Sequence, residues 1–195
     1  WYILNPKFYT HFCNIVIRKF LKNHDTPTKR EMATRWARSK SVTYVDALKK
    51  MGLNGDKIEL DNETIENSKK LQKKTLTKMG GPAHINLLYS CVKLLKPKIV
   101  IETGVAYGWS SLAILKALTE LKNGKLFSID MPYPRSNNDN DVGIVVPSNL
   151  NHNWSLIRKP DNPGIIYILN IIKKKIDLCH YDSDKSWWGR KYAYP

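Results

Sequence analysis

The sequence predicts an α/β fold: a doubly wound parallel sheet, left incomplete, preceded by a helical N-terminal extension. Three observations carry this. Two short apolar runs, 98–102 and 125–130, flank a helical stretch and make a βαβ unit of about thirty residues. A second alternation follows, with runs at 154–157 and 176–182 around an apolar helical stretch at 165–175. Residues 1–80, by contrast, are polar and carry only helical periodicity. The expected division is therefore an extension over 1–80 and a partial sheet domain over 81–195. At 195 residues, 42% hydrophobic and 25% charged, the chain has room for a core and lacks a disordered composition. No apolar run reaches the roughly 18 residues of a membrane span, and a cytoplasmic setting is the default. Cys13, Cys91 and Cys179 are scattered, with no Cys-x-x-Cys pair, which argues against a disulfide framework and a structural zinc site.

In the extension, Phe12, Ile15, Val16, Lys19 and Phe20 follow helical spacing. A second helix is expected from Tyr44 to Met51, stopped by Gly52. A third is expected from Asn62 to Lys78, capped by Asp61 or Asn62, with lysines crowding its second half as a solvated face. Met79-Gly80-Gly81-Pro82 breaks it, and a fourth helix runs from Ala83 to Leu95. Lys98–Glu102 then reads as a buried strand, Gly104–Gly108 as a tight turn, Ser110–Leu121 as a helix and Lys125–Asp130 as a strand. Residues 131–150 form a loop rich in Pro, Asn and Asp. Trp154–Ile157 is a third strand, 165–175 a crossover helix and Ile176–Asp182 a fourth strand.

The strongest chemical signal is the stretch from Glu102 to Ser111, which leaves a strand and opens a helix. Gly104 permits a sharp turn with the backbone close to a ligand, and Gly108 lets the helix N-terminus approach. Ser110 or Ser111 can cap that helix. Doubly wound sheets bind ligands beyond the carboxyl ends of their strands, where this turn falls. Asp130, at the end of the next strand, is placed to accept from ribose hydroxyls. A nicotinamide dinucleotide prefers G-x-G-x-x-G, whereas the spacing here is G-x-x-x-G with an acid two residues earlier. Glu102 repels a pyrophosphate and attracts the ammonium and sulfonium of S-adenosylmethionine, so charge favours the methyl donor.

The stretches Met79-Gly80-Gly81, KPKIVIETGVAYGWSSLAILKAL, GKLFSIDMPYP, VGIVVPSNL with NWSLIRKPDNPG, and IDLCHYDSDKSWWGRKYAYP resemble class I S-adenosylmethionine-dependent methyltransferases. The resemblance covers residues 79–195 and is nearest the small-molecule and sugar O-methyltransferases related to macrocin and cephalosporin-tailoring enzymes. It implies a Rossmann-like sheet of order 3-2-1-4-5-7-6. By the same resemblance Glu102 holds the methionine amino group, Gly104 and Gly108 line the turn beneath it, and Ser110 or Ser111 lies near its carboxylate. Asp130 binds the ribose, Asp161 meets the adenine, and Met79 and Gly81 close over the cofactor. In metal-dependent members, a Mg2+ ligand corresponds to Asp182 and the base that deprotonates the acceptor hydroxyl to Asp184. The residue-level alternative for Asp182-Ser183-Asp184 is a plain helix N-cap.

His180 reads either as a general base or, more commonly for a histidine in an apolar strand, as a core residue with a satisfied nitrogen. Cys179, mid-strand, is expected to be buried and inert. Trp187 and Trp188 are expected to pack on the sheet, and Tyr107 and Trp109 either to cover the cofactor or to pack under the helix.

The net charge is +15, yet 25 of the 32 basic residues are lysine, which fits compositional drift better than a phosphate-reading surface built on arginine. Three functions follow: O-methylation of a sugar or other small hydroxyl compound; methylation of RNA or another polyanion, whose binding falls steeply with salt; or a non-catalytic nucleoside-binding module. The chain stops after the fourth of seven implied strands, so truncation is expected, and strand 176–182 becomes an apolar edge open to a second copy.

Overall fold

The computed structural model describes residues 4–20, 26–53, 58–131, 139–185 and 187–193. It divides into two compact units, Tyr44–Ser183 and Trp1–Thr43 together with Asp184–Pro195.

The smaller unit holds helices α1 (Tyr9–Phe20) and α2 (Pro27–Lys40), and a short C-terminal helix over Trp187–Ala193. Thr26 caps α2 by accepting from the Lys29 N–H, with Pro27 at the first helical position.

The larger unit begins with α3 (Tyr44–Lys50) and α4 (Asn62–Gln72). As expected, Asp61 caps α4: its Oδ1 accepts from the Thr64 N–H at 2.7 Å. The helix ends at Gln72, not Lys78, because Thr75 and Thr77 turn the chain across the sheet domain and bond there. Helix α5 (Ile85–Leu95) leads into β1 (Ile99–Thr103), α6 (Trp109–Glu120), β2 (Lys125–Ile129), β3 (Trp154–Ile157), α7 (Asp161–Ile172) and β4 (Leu178–Tyr181). Helix α7 starts four residues before the apolar stretch, since Asp161, Asn162 and Pro163 suit a first turn.

The four strands are parallel, in the order β3-β2-β1-β4, matching the first four strands of the expected order. The chain steps outward from β1 to β3, then crosses to the other side of β1. That reversal between β1 and β4 opens a crevice at their carboxyl ends. Among the described residues β4 is an edge of the sheet and pairs with β1.

Alternation along the strands builds two cores. Val100 and Leu126 face α5 and α6, where Leu112, Leu115 and Leu118 are wholly buried. Ile101, Phe127 and Ile129 face α7 through Ile168. Cys179 is paired in register with Ile101 and so lies on the α7 face, but it is exposed rather than buried. Helix α7 packs over β2, leaving the β4 end of that face uncovered. Asp177 pins the start of β4 to β1 by accepting from the Lys98 and Ile99 N–H groups, both at 2.9 Å.

Candidate functional site

The turn after β1 is forced on glycine. Gly104 has φ +80°, and a Cβ there would stand 2.6 Å from the Asp182 carbonyl oxygen, so no side chain fits against the backbone leaving β4. Gly108 has φ +92°, and its Cβ would meet the Gly143 Cα at 2.8 Å, which seats the N-terminus of α6 on the 142–146 segment. Between them, the Val105 and Ala106 N–H groups donate to Asp130 Oδ2 at 2.8 and 2.9 Å. The acid at the end of β2 therefore holds the turn in place. Asp130 is buried, and burial pushes its pKa up; the two N–H bonds and the nearby Arg158 guanidinium oppose this without cancelling it. Arg158 Nη1 lies 3.5 Å from Asp130 Oδ1, and its Nη2 reaches Asp139 at 2.6 Å.

Glu102, Ser128 and His180 lie side by side in register across β2, β1 and β4, on the face covered by α6. Glu102 is fully buried. Its Oε2 accepts from Ser111 at 2.5 Å and Ser128 at 2.7 Å, and Trp154 Nε1 donates to the Ser128 oxygen at 2.8 Å. Oε1 accepts nothing and faces His180 Nδ1 at 3.6 Å; that nitrogen is also without a partner. A buried acceptor with no donor is costly, about 1–3 kcal/mol. The expected satisfied nitrogen is thus not found at His180 Nδ1: the ring lies on the α6 face of the sheet and lines the crevice cavity.

The crevice between β1 and β4 holds a cavity of about 320 Å³. Val105, Ala106 and Ser110 line it from the turn and α6, His180 and Asp182 from β4, and Leu88 and Cys91 from α5, with Gly80 and Gly81 at its rim. Ser110 sits in the first turn of α6, where free N–H groups favour an anion. The walls are mainly apolar, with a few convergent polar groups, as small-molecule sites are. Of the residues expected to contact a cofactor, the cavity gathers Gly81 and Ser110, and with them Asp182, expected as a metal ligand. Glu102, Ser111 and Asp130 lie beneath or beside it. Asp161 stands at the start of α7, where its Oδ1 accepts from the Ser183 hydroxyl at 3.0 Å.

A strap over residues 72–81 crosses the turn. Tyr107 is buried; its hydroxyl donates to the Thr77 carbonyl at 2.5 Å and accepts from the Met79 N–H at 3.1 Å. Trp109 Nε1 donates to Gln72 Oε1 at 2.9 Å, and Thr77 Oγ1 donates to Asp141 at 2.5 Å. Tyr107 and Trp109 thus bind the strap. Met79 meets Tyr107 instead of the cavity. Sequence reading missed this strap and the Arg158–Asp130 pair, because each joins residues more than two dozen positions apart.

Asp184 belongs to the smaller unit and Asp182 to the larger; both are exposed. Among the described residues no group of three His, Cys, Asp or Glu side chains is arranged to hold a metal ion. Asp182 and Asp184 are the two carboxylates at the β4 end. The side chains of Trp187 and Trp188, and residues 132–138 of the expected loop, lie outside the described residues.

No family model matches the sequence, and no curated protein matches it. Among solved structures, the chain is similar to the S-adenosylhomocysteine-bound methyltransferase PaMTH1 of Podospora anserina. The two are 14% identical, with a TM-score of 0.46, over 82% of this chain and 59% of that one. It is also similar to the O-methyltransferase TomG of Streptomyces achromogenes, involved in tomaymycin synthesis and solved with S-adenosylmethionine: 18% identity, TM-score 0.45, 71% of this chain and 63% of that one. The chain therefore spans about three fifths of the length of these two structures.

Proposed function

We propose that this chain is the donor-binding part of an S-adenosylmethionine-dependent methyltransferase that methylates a hydroxyl of a sugar or other small metabolite. The observation that supports it best is the crevice at the β1/β4 switch, where the turn residues Val105 and Ala106, Ser110 at the α6 N-terminus, and His180 and Asp182 of the β4 end line one cavity, with the buried Glu102 behind His180. When bound, S-adenosylmethionine supplies an electrophilic methyl carbon. The chain's residues bind and orient. Ser110 and the first N–H groups of α6 face a carboxylate. Glu102 Oε1 is the one carboxylate oxygen of that residue without a hydrogen bond, and an ammonium reaches it where the His180 ring now stands. Asp130 Oδ1, which faces Arg158, is the oxygen left for ribose hydroxyls. Asp161 takes the adenine side, and Met79 holds the strap closed above. Asp184 would take the proton of the acceptor hydroxyl, and holding that oxygen in place would supply much of the rate.

Calorimetric titration of S-adenosylhomocysteine into the chain tests the reading. Saturable one-to-one binding is expected, and its absence at millimolar ligand would refute donor binding by this chain. With an acceptor in hand, Asp184→Asn should abolish methyl transfer and leave that titration unchanged; transfer that survives would remove Asp184 as the base.

A further inference from the structure

The smaller unit concentrates charge and exposes apolar side chains together. Residues 1–43 contain nine Lys and Arg against Asp25 and Glu31, a net +7 of the chain's +15. The other 152 residues share the remaining +8. On α1, Cys13, Val16, Ile17 and Phe20 recur at helical spacing and so share one face. All four are exposed, Ile17 at 52% and Phe20 at 83%. On α2 no residue is buried. Met32 and Trp36, one turn apart, are 66% and 67% exposed, on a helix that also carries Arg35, Arg38 and Lys40. Leu4, just before α1, is 83% exposed. Helices of 12 and 14 residues that bury so little draw small stability from their own unit.

We propose that α1 and α2 form an interfacial anchor that lies on an anionic lipid surface. Exposed aromatic and aliphatic stripes with lysine and arginine on the same helices are what the headgroup boundary takes up: apolar side chains enter the acyl region and cations stay with the phosphates. Trp36 suits the interface, where indole rings collect. No helix among the described residues is long and apolar enough to cross a membrane, so the helices lie in the plane. A nucleic acid would reward the cations but not Val16 or Ile17. A second copy would bring +7 against +7, which opposes pairing through this surface.

The test is co-sedimentation of the full chain with vesicles of phosphatidylcholine alone and of phosphatidylcholine with phosphatidylserine. Binding to the anionic vesicles should be at least tenfold tighter than to the neutral ones at about 0.1 M salt, and should weaken as salt screens the charges. The Val16→Glu/Phe20→Glu pair should reduce it at least tenfold. These side chains are exposed, so the sheet unit should keep its thermal transition. Should that variant fail to fold, Arg38→Glu/Lys40→Glu addresses the charge arm and should lower only binding to the anionic vesicles. Three results would overturn the proposal: no binding to either vesicle; equal binding by both variants; or, with vesicles unbound, either self-association or retention of a single-stranded RNA oligonucleotide that the Val16/Phe20 variant abolishes.

Discussion

Glu102 Oε1 stands 3.6 Å from His180 Nδ1, and neither atom has a hydrogen-bond partner among the described residues. The other carboxylate oxygen is fully engaged by Ser111 and Ser128. The row therefore has one acceptor in reserve, behind the His180 ring that lines the crevice cavity.

Glu102→Gln separates stability from binding. An amide oxygen keeps both serine bonds, and its NH2 can donate to His180 Nδ1. Removing the orphaned carboxylate oxygen should leave the thermal midpoint unchanged or raise stability by about 1–2 kcal/mol. The affinity for S-adenosylhomocysteine should fall at least tenfold. Unchanged affinity by calorimetry would show that no ligand cation uses this oxygen.

Gly104→Ala should destabilise the larger unit by about 2–4 kcal/mol, because a positive φ and a 2.6 Å approach to the Asp182 carbonyl act together. Gly81→Ala is the control, with nothing within 4 Å of its Cβ position, and should stay within about 0.5 kcal/mol. Urea unfolding of the two variants compares them, and equal midpoints would contradict the close packing of β4 on the turn.

Tyr107→Phe removes one hydroxyl that serves two strap groups, leaving the Met79 N–H and the Thr77 carbonyl without it. A loss of about 1–2 kcal/mol is expected. The sharper readout is hydrogen exchange: protection of the Met79 amide should drop while that of the β1 amides holds. Equal change at both would mean global rather than local loosening.

Acid should weaken the packing of α5 on α6. Burial acts to raise the pKa of Glu120, but hydrogen bonds from Tyr89 and Lys93 and the charge of Lys116 outweigh it, and its pKa lies below the usual 4.5. Asp61, bonded to Thr64 and Lys116, is likewise lowered from 3.8. A depressed carboxylate contributes stability above its unfolded pKa and loses it as pH falls through the folded value. The urea midpoint should therefore fall below about pH 4.5, and Glu120→Gln should flatten that fall. Asp130, raised by burial, has the opposite sign: its contribution is present below its unfolded pKa and is lost as pH rises through the folded one.

The local part of the fold was legible before any coordinate. Strand β3 falls on the expected residues 154–157, and Asp61 caps the helix it precedes. The turn from Gly104 to Gly108 needs positive φ at both glycines, as a tight strand-to-helix turn does. Departures arise where a distant segment decides. α4 stops at Gln72 because Thr77 and Met79 bond to Tyr107 and Asp141, and no local signal near Lys73 announces this.

By itself, then, the sequence determined which segments are strands and helices, where the chain reverses and which acids stand at strand ends, since those depend on spacing and backbone freedom within a few residues. Only the tertiary structure decided what those acids do. Register across three strands set Glu102 between Ser128 and His180 and turned one oxygen of Asp130 onto the Val105–Ala106 turn. The position of α7 over β2 left Cys179 in solvent although its strand is apolar. Side-chain alternation is written locally, but which neighbour covers each face follows from strand order and helix packing, and both are set by contacts far apart in the chain.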